Sequence, residues 1–102
     1  MAYSVEWSES AISSVVEAAE YIAKDSPSYA AALVDKAEKA ANSLFQFAER
    51  GRVVPEYGDE SIRELFVGRY RLIYRVRGKR VVIAAFVHGA RDLLSLLPRI
   101  EQ

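Results

Sequence analysis

Four arginines, Arg69, Arg71, Arg75 and Arg77, stand at every second or fourth position of the stretch RYRLIYRVR. In an extended chain alternate side chains share a face, so these four and Ile73 project from one side. Tyr70, Leu72, Tyr74 and Val76 project from the other. Guanidinium groups in a row bind anions, because their planar forks match carboxylate and phosphate oxygens. The plain alternative is the solvated face of a half-buried strand, where charged side chains ordinarily sit. The single histidine, His88, follows the apolar run VVIAAFV and precedes GARD. In that place it is an acid–base group or, more ordinarily, a residue that satisfies the end of a strand. Asp92, next to Arg91, pairs with it or caps the C-terminal tail.

The elements that would position these residues are legible. Gly68-Arg69 and Gly78-Lys79 sit where the chain must reverse, and glycine supplies the positive φ of two-residue hairpins. Ile62 to Leu93 therefore reads as two tight hairpins and three antiparallel strands. Arg80–His88 is apolar on both faces, which places it inside the sheet or beneath another layer. Upstream, Tyr3, Val5 and Trp7 alternate with Ser4, Glu6 and Ser8 as a short strand. Ser8 is a helix N-cap, with Glu9 near the positive end of the helix dipole. A helix over residues 9–24 has its apolar stripe at Ile12, Val15, Val16, Ala19, Ile22 and Ala23. Ser26-Pro27 breaks and restarts it. A second helix, residues 27–49 and about 33 Å long, turns Ala30, Leu33, Val34, Ala37, Ala40, Ala41, Leu44, Phe45, Phe47 and Ala48 inward. Gly51 is its expected stop. Residues 52–61 read as a loop. Leu93, Leu94, Leu96 and Leu97 form an apolar tail, a last helical turn or an edge strand, that calls for packing or a partner.

A helix hairpin with one apolar side must cover the sheet. The expected fold is α+β: an N-terminal strand, then a two-helix hairpin packed on an antiparallel sheet of about four strands, in the order β-α-α-β-β-β. One domain spans residues 1–102. Half the chain is hydrophobic, enough for a modest core, and it has no cysteine. Disulfides and cysteine-held zinc are excluded. One histidine and no carboxylate cluster supply no familiar metal-ligand set, and no cofactor is expected. No signal peptide or membrane span is apparent, so a cytoplasmic protein is expected. Fourteen basic and fourteen acidic residues balance overall. Residues 1–50 hold four basic and eight acidic residues, and residues 51–102 hold ten and six, hence about −4 and +4. Neutrality argues against indiscriminate coating of nucleic acid, while the asymmetry permits one cationic surface.

The order of elements, with ELFVGRYRLIYRV, the VVI strand, HGARDL, YIAKDSPSYA and ERGRVVPE, resembles the RelE/ParE superfamily of bacterial toxins over nearly the whole chain. The resemblance implies the toxin of a type II toxin–antitoxin system, neutralised by a cognate antitoxin whose C-terminal segment wraps it in a hetero-oligomer. It implies one of two targets. RelE-like members cleave messenger RNA on the ribosome, and for that role Arg71 and Arg91 match family catalytic arginines. His88 lies close to the histidine of some members. ParE-like members inhibit DNA gyrase and are not known as nucleases. No tyrosine follows Tyr74, and Arg63, Glu64 and Leu65 stand where some nucleases carry lysines. These departures favour the ParE-like role, with the ribosome-dependent endoribonuclease as the alternative. Whether the chain is an enzyme stays open between them. Antitoxin or target is expected to meet Arg63, Arg69, Arg71, Arg75 and Arg91, with Leu93, Leu94 and Leu97, through an acidic partner surface or an added strand or helix.

Overall fold

In the computed structural model, which describes residues 2–90, the elements are β1 (Ser4–Trp7), α1 (Glu9–Ala23), α2 (Pro27–Ser43), β2 (Arg52–Val53), β3 (Ile62–Val67), β4 (Tyr70–Arg77) and β5 (Arg80–His88). The sheet order is β1-β5-β4-β3-β2. Strands β2 to β5 pair antiparallel, and β1 joins β5 in parallel. The α+β expectation holds, with the helices on one face. The sheet has five strands rather than about four. The extra one is β2, inside the stretch read as a loop, where Arg52 pairs with Glu64 and Val53 with Arg63. Arg91, Asp92, Leu93, Leu94, Leu96 and Leu97, on which the sequence placed a catalytic arginine and an apolar tail, lie outside the described residues.

Both hairpins form as the glycines predict. Val67 pairs with Tyr70 and Arg77 with Arg80, leaving two-residue loops whose first residues, Gly68 and Gly78, have φ of 58° and 57°. With φ positive at the first central position and not at the second, Arg69 or Lys79, these are II′ turns, whose twist matches that of the strands. The helix starts also form as read. Ser8 Oγ accepts from Ala11 N at 3.1 Å, and Ser26 Oγ accepts from Tyr29 N at 3.2 Å.

The main core lies between helices and sheet. Val67, Leu72, Tyr74, Val81, Ile83 and Phe86 meet Ala11, Val15, Ala18, Leu33, Ala37, Ala41 and Leu44. A bulge at Ala84 keeps both Ile83 and Phe86 on the helix side, since Ile73 pairs with Ala85 but Tyr74 with Ile83. The buried stripe of α1 is Ala11, Val15 and Ala18, one residue round from the stripe read in the sequence. Alanines let the helix backbone sit close to the sheet, and the larger Ile12 and Val16 are left about half exposed. Phe45 and Phe47, read as inward, are exposed as well.

Helix α2 ends at Ser43, well before Glu49. Its continuation is a run of turns in which the Phe45 carbonyl accepts from Tyr3 N at 2.8 Å. The first strand thus takes a carbonyl that further helix would have used. Gly51 is accordingly no helix stop. A β-carbon there would lie 2.5 Å from the Glu64 carbonyl oxygen and 2.6 Å from the Tyr74 hydroxyl. Gly51 N donates to that hydroxyl at 3.0 Å. Only glycine lets the chain pass between α2 and β3 this closely.

Candidate binding face of the sheet

The arginine-bearing face is turned away from the helices, and its two ends differ. At the β2–β3 end, residues 54–61 fold back over the strands. Val54 N donates to the Ile62 carbonyl at 3.1 Å, and the Val54 carbonyl accepts from Tyr57 N and Gly58 N. Val54 packs with Ile62, Ile73, Ala84, Ala85 and Val87, and Tyr57 lies against them. This second core is absent from the sequence reading.

Arg71 enters this covered region. It is 4% exposed, and its guanidinium is held by two carboxylates. Nε donates to Glu64 Oε1 at 2.5 Å. Nη1 and Nη2 donate to Glu56 Oε2 and Oε1 at 2.7 and 2.9 Å, a bidentate pair. Glu64, itself buried, also accepts from Arg52 Nε at 2.5 Å, and Arg52 lies 4.9 Å above the Phe66 ring. Two guanidinium and two carboxylate groups alternate in one chain, so the buried charge is neutralised. Hydrogen bonds from Arg71 hold the Glu56 carboxyl down to about 2, and those from Glu56 raise Arg71 above its ordinary value.

The other residues singled out in the sequence are scattered. Arg63 faces the helix side with its strand partner Tyr74. It donates to the carbonyls of Glu60 at 3.1 Å, Gly51 at 3.0 Å and Glu49 at 3.3 Å, tying loops rather than facing a partner. Arg69 is an exposed turn residue whose carbonyl accepts from Gly89 N at 2.9 Å. His88 pairs with Tyr70 and so projects to the helix side, while Arg71 pairs with Val87 on the opposite face. The two do not converge, contrary to the grouping expected of an RNA-cleaving site. His88 Nδ1 accepts from Ala90 N at 3.3 Å, which is the strand-ending role. Glu56 and Glu64 escaped the sequence reading. The Gly68 turn fixes the β3–β4 register and places Glu64 on the face of Arg71, so that partner was derivable. Glu56 sits in a loop with no periodicity to place it.

Toward the far end of this face exposure rises among the described residues, from half-buried Arg75 to exposed Arg77 and Arg80. Arg75 and Arg77 continue the row along β4, and Arg80 stands directly opposite Arg77. Arg80 Nη2 lies 3.0 Å from Glu6 Oε2. Lys79, in the turn, lies over the Tyr3 ring at 5.4 Å.

A separate surface follows the outer edge of β1. Ser4 N and Ser8 N donate toward β5, so by alternation the polar backbone groups of Val5 and Trp7 point outward. Beside them Trp7, Ile12, Val16 and Val34 line a concavity of about 450 Å³. Tyr3, Val5, Asn42 and Phe45 line a second of about 480 Å³.

A strand, a helix hairpin and an antiparallel meander closed by a parallel first strand define a small α+β toxin fold. The same fold occurs in a solved structure of the chromosomal ParDE TA system from P. aeruginosa, with a TM-score of 0.69 over 84% of this chain and 95% of that one. The sequences are 21% identical, a likeness of fold alone. No curated protein sequence matches this chain. Residues 5–93 match the family model described as ParE toxin of type II toxin-antitoxin system, parDE, and the chain belongs to that family. It is a type II toxin with an antitoxin as partner. Among the described residues no helix is long and apolar enough to cross a membrane.

Proposed function

We infer that this toxin acts as an inhibitor of DNA gyrase rather than as an RNA-cleaving enzyme. The observation that carries this reading is the state of Arg71. A nuclease of the RelE kind needs a cation free to grip a phosphate and an acid–base group beside it. Here the bidentate edge of Arg71 is filled by Glu56, and His88 projects from the other face of the sheet. Action on gyrase would put the toxin in the cytoplasm. The antitoxin is proposed to add a strand along the open edge of β1, setting alternate apolar side chains into the two concavities there.

The test is induced expression without antitoxin, with cell shape, the DNA-damage response and transcript ends followed together. Filamentation and damage signalling with intact transcripts are expected, and purified toxin should inhibit gyrase supercoiling. Supercoiling untouched at high excess would remove the gyrase reading. Translation arrest with codon-positioned transcript ends would replace it with ribosome-dependent messenger RNA cleavage. Arg71, His88 and Arg91 would then be the residues to substitute first.

A further inference from the structure

We propose that Arg71 is a carboxylate-binding site which the free toxin fills with its own Glu56, and which the toxin–antitoxin complex fills with an acidic side chain of the antitoxin. The exchange rests on the antitoxin as partner and not on the gyrase reading, so each can fail alone.

The two carboxylates on Arg71 are held unequally. Glu64 belongs to β3, is buried, and bridges Arg71 and Arg52 through their Nε atoms. It cannot leave without its strand. Glu56 takes the Nη1 and Nη2 edge of Arg71, and its side chain is 34% exposed. Pro55 and Glu56 are the central residues of a four-residue turn, closed where Tyr57 N donates to the Val54 carbonyl at 3.1 Å. Val54 and Tyr57, on either side, are seated in the second core. None of these contacts uses the Glu56 carboxylate. Letting go of Arg71 is therefore a side-chain rotation on a turn that stays in place. Hydrogen bonds from Arg71 keep the Glu56 carboxyl ionised down to about 2, so a competing anion, and not mild acid, opens the site.

Charge and shape say what the vacated site takes. Without Glu56, the Arg71 and Arg52 guanidinium groups against Glu64 leave one positive charge. A single negative charge restores the balance that a covered site requires. Arg71 is almost wholly buried, and its fork is reached along the line of one slim side chain. An aspartate or glutamate fits that approach. A backbone phosphate carries a sugar on either side and is broader than the stem it would replace. Directly opposite Arg71 on β3, Phe66 is exposed on the same face, and Arg52 lies over its ring. Aromatic rings and arginines are the residues on which protein contacts centre. An apolar residue next to the antitoxin's carboxylate thus has a ring to rest on.

The experiment compares wild-type toxin with Glu56→Ala in two measurements. In the first, the full chain alone is unfolded with urea in sodium acetate and in sodium chloride of equal ionic strength. Acetate should raise the midpoint of Glu56→Ala and leave that of the wild type where it was. In the second, affinity for the purified cognate antitoxin is measured. Glu56→Ala should bind roughly five- to tenfold more tightly, because the internal charged hydrogen bonds no longer compete. A misfolded variant would not produce that gain. Changing the acidic residues of the antitoxin one at a time to their amides should find one whose loss abolishes it. Antitoxin affinity that Glu56→Ala leaves unchanged or weakens would make Glu56 purely structural and overturn the exchange, as would a gain that survives every amide. Inorganic phosphate restoring the variant better than acetate would refute the carboxylate assignment. Restoration by neither anion would mean that the fork closes once Glu56 is gone, and the site would be refuted.

Discussion

Arg71 and Arg77 belong to one strand, share one face and lie three alternations apart, yet they live in different solvents. Arg71 is covered by residues 54–61 and grips Glu56 and Glu64. Arg77 stands in water opposite another arginine. Strand periodicity made both point the same way. Whether a neighbouring segment removes the water decided everything else. A charge taken out of water needs a fitted counter-charge, because its desolvation costs several kcal/mol. The covered end accordingly carries two carboxylates for two guanidinium groups. The open end meets no such demand, since water already screens it. Arginine on a strand face is therefore ambiguous until the opposing layer is known.

The comparison can be broken first at its covered end. Arg71→Met should remove about 3 kcal/mol or more, read from urea denaturation, because it leaves the Glu64 carboxylate buried with Arg52 alone. A loss under 1 kcal/mol would mean that Arg71 is not holding the loop. Gly51→Ala should follow, at about 1–3 kcal/mol. The added carbon would press on the Glu64 carbonyl and the Tyr74 hydroxyl, and the same denaturation curves would show it.

Glu56→Gln sharpens the comparison through pH. Folded, the Glu56 carboxyl titrates at about 2, against an ordinary 4.5. A carboxyl lowered on folding contributes stability that is complete above the unfolded value and vanishes as pH falls through the folded one. Wild-type stability should therefore gain an acid-sensitive component between pH 4.5 and 2 that Glu56→Gln lacks. At neutral pH the variant should be weaker by about 1 kcal/mol, the net worth of a partly exposed charged hydrogen bond. Parallel stability–pH curves for the two proteins would dismiss the latch. At the open end, Arg77→Ala should change stability by no more than about 0.5 kcal/mol, in either direction. It also relieves the like-charge pair with Arg80. A large loss there would make the open end structural.

Much of the frame was legible because it depends on neighbours in sequence. Ser8 and Ser26 cap helices with hydroxyls three residues from the amides they satisfy. Gly68 and Gly78 turn the chain by their own φ. The apolar run of β5 announced burial on both faces. The misread features depend on neighbours in space. Ile12 and Val16 scored as core because hydrophobicity favours large side chains, whereas close packing of α1 on β5 chose Ala11 and Ala18. Gly51 looked like a helix stop, but its size is demanded by Tyr74 and the Glu64 backbone.

The sequence by itself determined that a helix hairpin covers one face of a sheet and that the other face carries arginines. Local conformation and periodicity act over a few residues, and they suffice for that. It also carried the family resemblance, through short motifs kept in order. Only the tertiary structure decided that Arg71 would be locked while Arg77 and Arg80 stay open, and that His88 would face away from Arg71. The first outcome turns on a loop without periodicity, residues 54–61, finding a place on a distant strand face, and the second on the β4–β5 register that sets His88 opposite Tyr70. Desolvation at that contact, rather than residue type, set the roles of the arginines.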